Sequence, residues 1–274
     1  MESICNTRPA EYGVKLFDTH AHYDDERFDG TRDDIISTLS SNGIDLVVNV
    51  GASLDGTAKS IGLAEKYPHV YCSAGIHPDG AEDTTPLCDR MDILREYLRH
   101  PKCVALGEIG LDYYYGKDTR EKQRELFKAQ MEIADEVGKP VIIHDRDAHG
   151  ECLEIVKSHP DTVGVFHCFS GSFELAKELF GMGWYISVGG VVTFNNAKKL
   201  VEVVERLRET EGAIKRLLLE TDCPYLTPVP HRGKTNNSLY MKYTAEKVAA
   251  IIGMDYAELC GITYENGKRF YGIR

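Results

Sequence analysis

Eight short apolar runs, separated by stretches with helical spacing, recur along the 274 residues and constrain the fold more than any other feature. They are VKLF (14–17), DLVVNV (45–50), VYCSAGI (70–76), CVALGEI (103–109), PVIIH (140–144), VGVFHC (163–168), WYISVG (184–189) and LLLET (217–221). Apolar residues stand on consecutive rather than alternating positions, which marks strands covered on both faces. The intervening segments 31–41, 54–66, 86–99, 119–137, 150–158, 172–181 and 196–211 read as helices. The clearest is 119–137, with Leu126, Phe127, Gln130, Ile133 and Ala134 on one face and Gly138 and Pro140 as stop signals. A loop rich in Pro, Gly, Asn and Thr (227–238) precedes two further helices, 239–252 and 256–270. Such alternation is α/β and admits either a doubly wound sheet or a closed barrel. The first strand ends in Asp18-Thr19-His20-Ala21-His22 where a dinucleotide-binding sheet would carry G-x-G-x-x-G. The count of eight therefore favours a single (β/α)8 TIM barrel with extra C-terminal helices, one domain over residues 1–274.

Net charge is −11 and pI about 5.4, which argues against a broad basic face for gripping duplex nucleic acid. An anionic substrate would need a local positive site, and bound divalent cations supply one. No apolar run approaches the roughly 18 residues of a membrane span. The start, MESICNTRPAEYG, has neither a basic region nor a following apolar stretch. A cytoplasmic soluble protein with no membrane partner, working as a monomer, is the expectation. The eight cysteines (5, 72, 88, 103, 152, 168, 223 and 260) form no C-x-x-C pair and read as free thiols.

A parallel barrel presents the carboxyl ends of its strands on one face. His20 and His22 follow the first expected strand, His77 the third, Glu108 lies in the fourth, His144 closes the fifth, His167 the sixth, and Asp222 follows the eighth. Five of the ten histidines thus gather at strand ends. Each has a structural alternative: His20 and His22 as solvated surface residues, His144 and His167 as core histidines bonded to backbone, His77 as a loop former before Pro78. Glu108 fits a surface role poorly, because an unpaired carboxylate within VALGEIGLD would be costly. Glu220 suits a supporting carboxylate that orients a histidine better than a ligand.

FDTHAHYD, GIHPD, LGEIGLDYY, the block from QRELFKAQ to VIIHDRDA, FHCFSG and LLLETDCPYL stand in one order over nearly the whole chain. In this the sequence resembles the TatD family of metal-dependent hydrolases, among the amidohydrolase-like barrels. It departs from that pattern at HRGKTNNSLY (231–240), where such proteins usually carry a stretch like R-x-N-E-P. The resemblance implies two divalent metal ions, Mg2+, Mn2+ or Zn2+. His20, His22 and Asp222 would hold the first, His144 and His167 the second, and Glu108 would bridge them. Four imidazoles and two carboxylates suit zinc or manganese, while family members are commonly described as magnesium-supported. The ions would outweigh the two carboxylates and draw a phosphate. Asp222 is the candidate to orient or deprotonate water, Glu108 to bridge, and His77 to hydrogen-bond the phosphate or leaving group. Arg146, Arg232 and Lys234 are further phosphate candidates, or ordinary solvated cations. The implied activity is deoxyribonuclease, acting 3′ to 5′ on single-stranded DNA. The alternative is hydrolysis of a D-aminoacyl-tRNA ester or another ester or amide by the same site.

Overall fold

The computed structural model describes residues 13–274; the start read above for targeting signals, with Cys5, lies outside the described residues. Eight parallel strands pair in sequence order: β1 (Leu16–Ala21), β2 (Ile44–Val50), β3 (Val70–Ala74), β4 (Cys103–Asp112), β5 (Val141–Arg146), β6 (Gly164–Phe166), β7 (Tyr185–Val188) and β8 (Leu217–Leu219). The ring closes where Ala21 bridges Cys223; beside it the N–H of His22 donates to Cys223 O at 2.7 Å and that of Asp222 to His20 O at 2.9 Å. Seven helices connect successive strands: α1 (Arg32–Thr38), α2 (Leu54–Lys66), α3 (Leu87–Leu98), α4 (Arg120–Val137), α5 (His149–Lys157), α6 (Phe173–Gly181) and α7 (Lys198–Arg206). Two more, α8 (Met241–Ile252) and α9 (Tyr256–Tyr271), follow β8. The expected (β/α)8 barrel is therefore the fold.

Boundaries differ from the apolar pattern where the backbone turns toward the mouth. β1 continues to Ala21, so His20 lies within the strand, where a register irregularity falls between Asp18 and Ala21; the two-residue period puts the His20 and His22 rings on one side. β6 and β8 stop at Phe166 and Leu219, because Cys168 and Asp222 take left-handed backbone (φ 44° and 54°) that no ladder accommodates. His167 and Asp222 thus project from loops.

Two apolar layers hold the barrel. Alternate strand residues face inward, and Phe17, Val48, Val50, Ala105, Ile142, Val165, Tyr185 and Leu218 fill the lumen. The end of α9 completes this inner core with Phe270 and Tyr271, and the Tyr271 hydroxyl donates to Thr19 O at 2.7 Å. Helix and strand approach closely enough that a Cβ on Gly267 would lie 2.5 Å from the Phe17 ring. The opposite faces of the strands pack against the helices. There α4 buries Leu126, Phe127, Met131, Ile133 and Ala134 and ends, as its sequence predicts, at a left-handed Gly138. The seven described cysteines are free.

Emptying the lumen is expected to cost far more than trimming the surface. Phe17→Ala should lower the unfolding free energy by about 3–5 kcal/mol in a urea titration. Ile93→Ala, on an exposed residue, should stay within about 0.5 kcal/mol. Equal losses would mean that the lumen is not a packed core.

Candidate metal centre

Glycine lets the fourth strand carry a carboxylate into the mouth. A Cβ on Gly110 (φ 142°) would lie 2.0 Å from His144 O, and one on Gly75 would lie 2.7 Å from the Gly107 backbone. Only residues without side chains permit β3, β4 and β5 to close on one another here. Glu108 is thereby set beside His144 at the floor of a cleft of about 940 Å³.

The six expected ligand residues converge on that cleft. The Nε2 atoms of His20 and His22 are 3.0 Å apart, and each lies 3.6 Å from Glu108 Oε2. Asp222 Oδ1 lies 3.7 Å from His20 Nε2 and 3.4 Å from His22 Nε2. Donors about 2.1 Å from a shared tetrahedral cation would stand about 3.4 Å from one another, close to the 3.0–3.6 Å spacing of His20, His22 and Glu108. On the other side of the same carboxylate, Glu108 Oε1 lies 2.8 Å from both His144 Nδ1 and His167 Nε2, which are 3.3 Å apart. The two oxygens of one glutamate therefore face two imidazole pairs. The donor types fit a divalent cation, and three groups of them lie close enough to share one: His20, His22 and Glu108; His20, His167 and Asp222; and His77, Glu108 and His144.

Groups behind the donors fix which nitrogen faces inward. His22 Nδ1 is bonded to Val50 O at 2.9 Å, leaving Nε2 for the cleft. His144 turns Nε2 to Asp112 Oδ2 at 3.2 Å, leaving Nδ1 for Glu108. Glu220 stands 3.9 Å from His167 Nδ1, at ion-pair rather than hydrogen-bond range, and accepts from the Cys168 N–H and the Ser187 hydroxyl. The sequence reads Glu220 as a carboxylate that orients a histidine; it lies behind the cluster, but its hydrogen bonds go to Cys168 and Ser187. Asp18 accepts from the Thr221 N–H and from the hydroxyls of Thr221 and Ser238, stapling β1 to the loop after β8. The divergent loop 231–240 completes this staple: Asn236 donates to Thr221 O and Tyr225 O.

Charge is dense here. Burial alone would push the Glu108 carboxyl up, but the imidazoles, His167 foremost, outweigh it and hold it well below the usual range. Asp222 is likewise lowered, burial being overcome by His22 and His20. Burial pulls His22 down, yet Asp222 and Glu108 raise it to about 10; Asp112 and Glu108 overcome burial to raise His144 to about 9. His20 falls to about 4 through burial and the neighbouring His167. Glu220 rises to about 7, chiefly by burial.

His77 lines the cleft, with Nε2 3.8 Å from Glu108 Oε1 and Nδ1 held at Asp79. Arg146 also lines it. Arg232 does not: its guanidinium covers the Phe194 ring and donates to Thr227 O, and Lys234 is likewise absent from the lining. Asp112 escaped the sequence reading although a signal existed, since Glu108, Gly110 and Asp112 share one face at the two-residue period. Asp18, two residues before His20, carried the same kind of signal.

A parallel β/α barrel with imidazoles and carboxylates converging at its carboxyl-terminal mouth has the build of a metal-dependent hydrolase. Residues 17–272 match the family described as TatD related DNase, and the chain belongs to that family. The uncharacterized metal-dependent hydrolase YabD of Bacillus subtilis (strain 168) is 40% identical over 260 residues, covering 94% of this chain and 99% of its own. The uncharacterized metal-dependent hydrolase YcfH of Escherichia coli (strain K12) is 36% identical over 263 residues, covering 94% and 96%. The crystal structure of YJJV, a TatD homolog from Escherichia coli K12, superposes with a TM-score of 0.88 at 27% identity, covering 96% of this chain and 100% of that one.

Cations should displace the protons that the carboxylates hold on His22 and His144. Adding Zn2+ or Mn2+ to the metal-free protein at pH 8 in weak buffer should release protons, read by an indicator dye. The melting temperature should rise with cation concentration, and His20→Ala should lose most of that rise. An unchanged rise in His20→Ala would remove this residue from the donor set.

Proposed function

We propose that this chain is a metal-dependent deoxyribonuclease, hydrolysing phosphodiester bonds of single-stranded DNA from its 3′ end as one hydrolase unit over residues 1–274. The observation that carries it is Glu108, whose two oxygens face separate histidine pairs at 3.6 Å and 2.8 Å. The family's description as TatD related DNase supports the choice of substrate. The same reading takes it to work as a cytoplasmic monomer; among the described residues no helix is long and apolar enough to cross a membrane.

In this reading His20, His22 and Asp222 would hold one divalent ion, His144 and His167 the second, with Glu108 between them. Their imidazole-rich surroundings suit zinc or manganese, and magnesium remains the family's commonly described ion. Two such ions supply Lewis acidity: they acidify water and neutralise charge on phosphorus-bound oxygens. The chain's own groups do the rest. Ionised Asp222, lining the cleft, orients the attacking water and takes its proton. His77 presents Nε2 to the cleft, where it donates a hydrogen bond to a phosphate or leaving oxygen. Behind them Asp112 keeps His144 in orientation, and Glu220 places a carboxylate 3.9 Å from His167 Nδ1.

Metal-loaded protein should shorten a 5′-labelled single strand stepwise and release the label of a 3′-labelled strand at once, with little action on duplex. Glu108→Ala should lower that activity by more than about 100-fold and reduce bound metal. Deacylation of a D-aminoacyl-tRNA with DNA left intact would transfer the site to ester hydrolysis. Absence of phosphodiester cleavage with Mg2+, Mn2+ and Zn2+ would sink the nuclease reading.

A further inference from the structure

The cleft that would receive an anionic strand is poorly furnished to grip phosphates. Among the described residues Arg146 is the one Arg or Lys in its lining, whereas Asp24, Asp25, Asp79, Glu82 and Asp118 all border it. Apart from the ions, the rim repels a nucleic-acid backbone. Affinity for a strand must come from elsewhere.

The exposed aromatic residues show where. Seven large hydrophobic side chains are exposed among the described residues, and the aromatic ones are Tyr114, Tyr115 and Tyr225. Tyr115 (76% exposed) and Tyr225 (43% exposed) line the cleft, and Tyr114 packs edge-on against Tyr115 with ring centroids 4.7 Å apart. Solitary exposed aromatics need no explanation, but two of the three lining one cleft, with the third packed against one of them, do.

Both sites are prearranged. The Arg146 guanidinium lies 4.3 Å from the Tyr114 centroid and 4.7 Å from that of Tyr115. Asp112 Oδ1 accepts from the N–H groups of both tyrosines at 2.9 Å, while its Oδ2 faces His144, so one carboxylate ties this aromatic turn to the donor cluster. Across the mouth, the Arg27 guanidinium lies 4.1 Å over Tyr225, whose hydroxyl donates to Asp25 at 3.1 Å. Arg27 is itself clamped to Asp25 by two hydrogen bonds at 3.0 and 3.1 Å. Strand order places β4 and β5 half a barrel away from β8 and β1. The two aromatic sites therefore flank the donor cluster.

We propose that Tyr115 with Arg146, and Tyr225 with Arg27, are stacking platforms for unpaired nucleobases on either side of the scissile phosphate. The proposal rests on the nuclease reading and deepens it. Every base offers a π face, so stacking is sequence-tolerant, and it excludes a duplex whose faces are already stacked. With so few cationic contacts, the salt dependence of strand binding should be shallow.

The test measures binding by fluorescence anisotropy, using a nuclease-resistant phosphorothioate single strand and its abasic counterpart with metal-loaded protein. The base-bearing strand should bind about 100-fold tighter. Tyr115→Ala and Tyr225→Ala should each remove about tenfold of that preference, and the Phe variants should restore it. Equal affinity of the wild-type protein for the two strands, or an undiminished preference in both Ala variants, would overturn the platforms. Wild-type hydrolysis of bis(4-nitrophenyl) phosphate, which has no base, separates the two readings. Turnover of that diester alongside equal strand affinities overturns stacking alone, whereas no turnover of it or of DNA overturns the nuclease reading and this inference together.

Discussion

The structure depends on a buried carboxylate surrounded by imidazoles. An isolated ionised glutamate could not survive where Glu108 sits, since desolvation would force it neutral. His20, His22, His144 and His167 reverse that outcome and keep it charged. The same arrangement that solves the burial problem leaves a donor set of alternating nitrogen and oxygen around two points. Stability of the site and capacity for cations are thus two aspects of one electrostatic compromise.

Everything else positions that carboxylate. The filled lumen gives a floor against which strand ends cannot slide, and Gly75, Gly107 and Gly110 let neighbouring strands approach until Glu108 and His144 touch. Asp112, Glu220 and Asp18 stand one layer further out. Asp112 uses one oxygen to face His144 and the other to fasten the turn at Tyr114 and Tyr115, Asp18 ties the strand of His20 to the loop after β8, and Glu220 joins the Cys168 N–H to Ser187 of β7. Orientation of the donors and shape of the rim are consequently not independent, and the aromatic turn at Tyr114 and Tyr115 hangs from the same carboxylate that faces His144.

The barrel was legible because its strands are buried on both faces and its helices on one, so periodicity and length separate them. The donor residues were legible because imidazoles at the ends of apolar runs are chemically conspicuous. Asp112 and the tyrosines were less so. A carboxylate whose task is to hold a histidine and cap a turn looks like any turn former, and an exposed tyrosine differs from a solvated one only through its neighbours. Strand ends were misplaced at β6 and β8 because left-handed backbone at Cys168 and Asp222 is imposed by the mouth, against local preference. Arg232, which lies just past the last strand, finds its partner in Phe194, a contact that no local pattern announces.

The seam between the first and last strands has a consequence for how the site comes into being. Glu108, His144 and His167 stand on or just after three successive strands, β4, β5 and β6, so their meeting joins only the middle of the chain. His20, His22 and Asp222 meet only when β1 finds the loop after β8, across about two hundred residues. Closing that seam is costly in chain entropy, and α9 helps secure it by seating Tyr271 against Thr19. A cation held across the seam would act as a latch, drawing its affinity in part from completion of the ring. Completion of the donor cluster is thereby tied to closure of the ring.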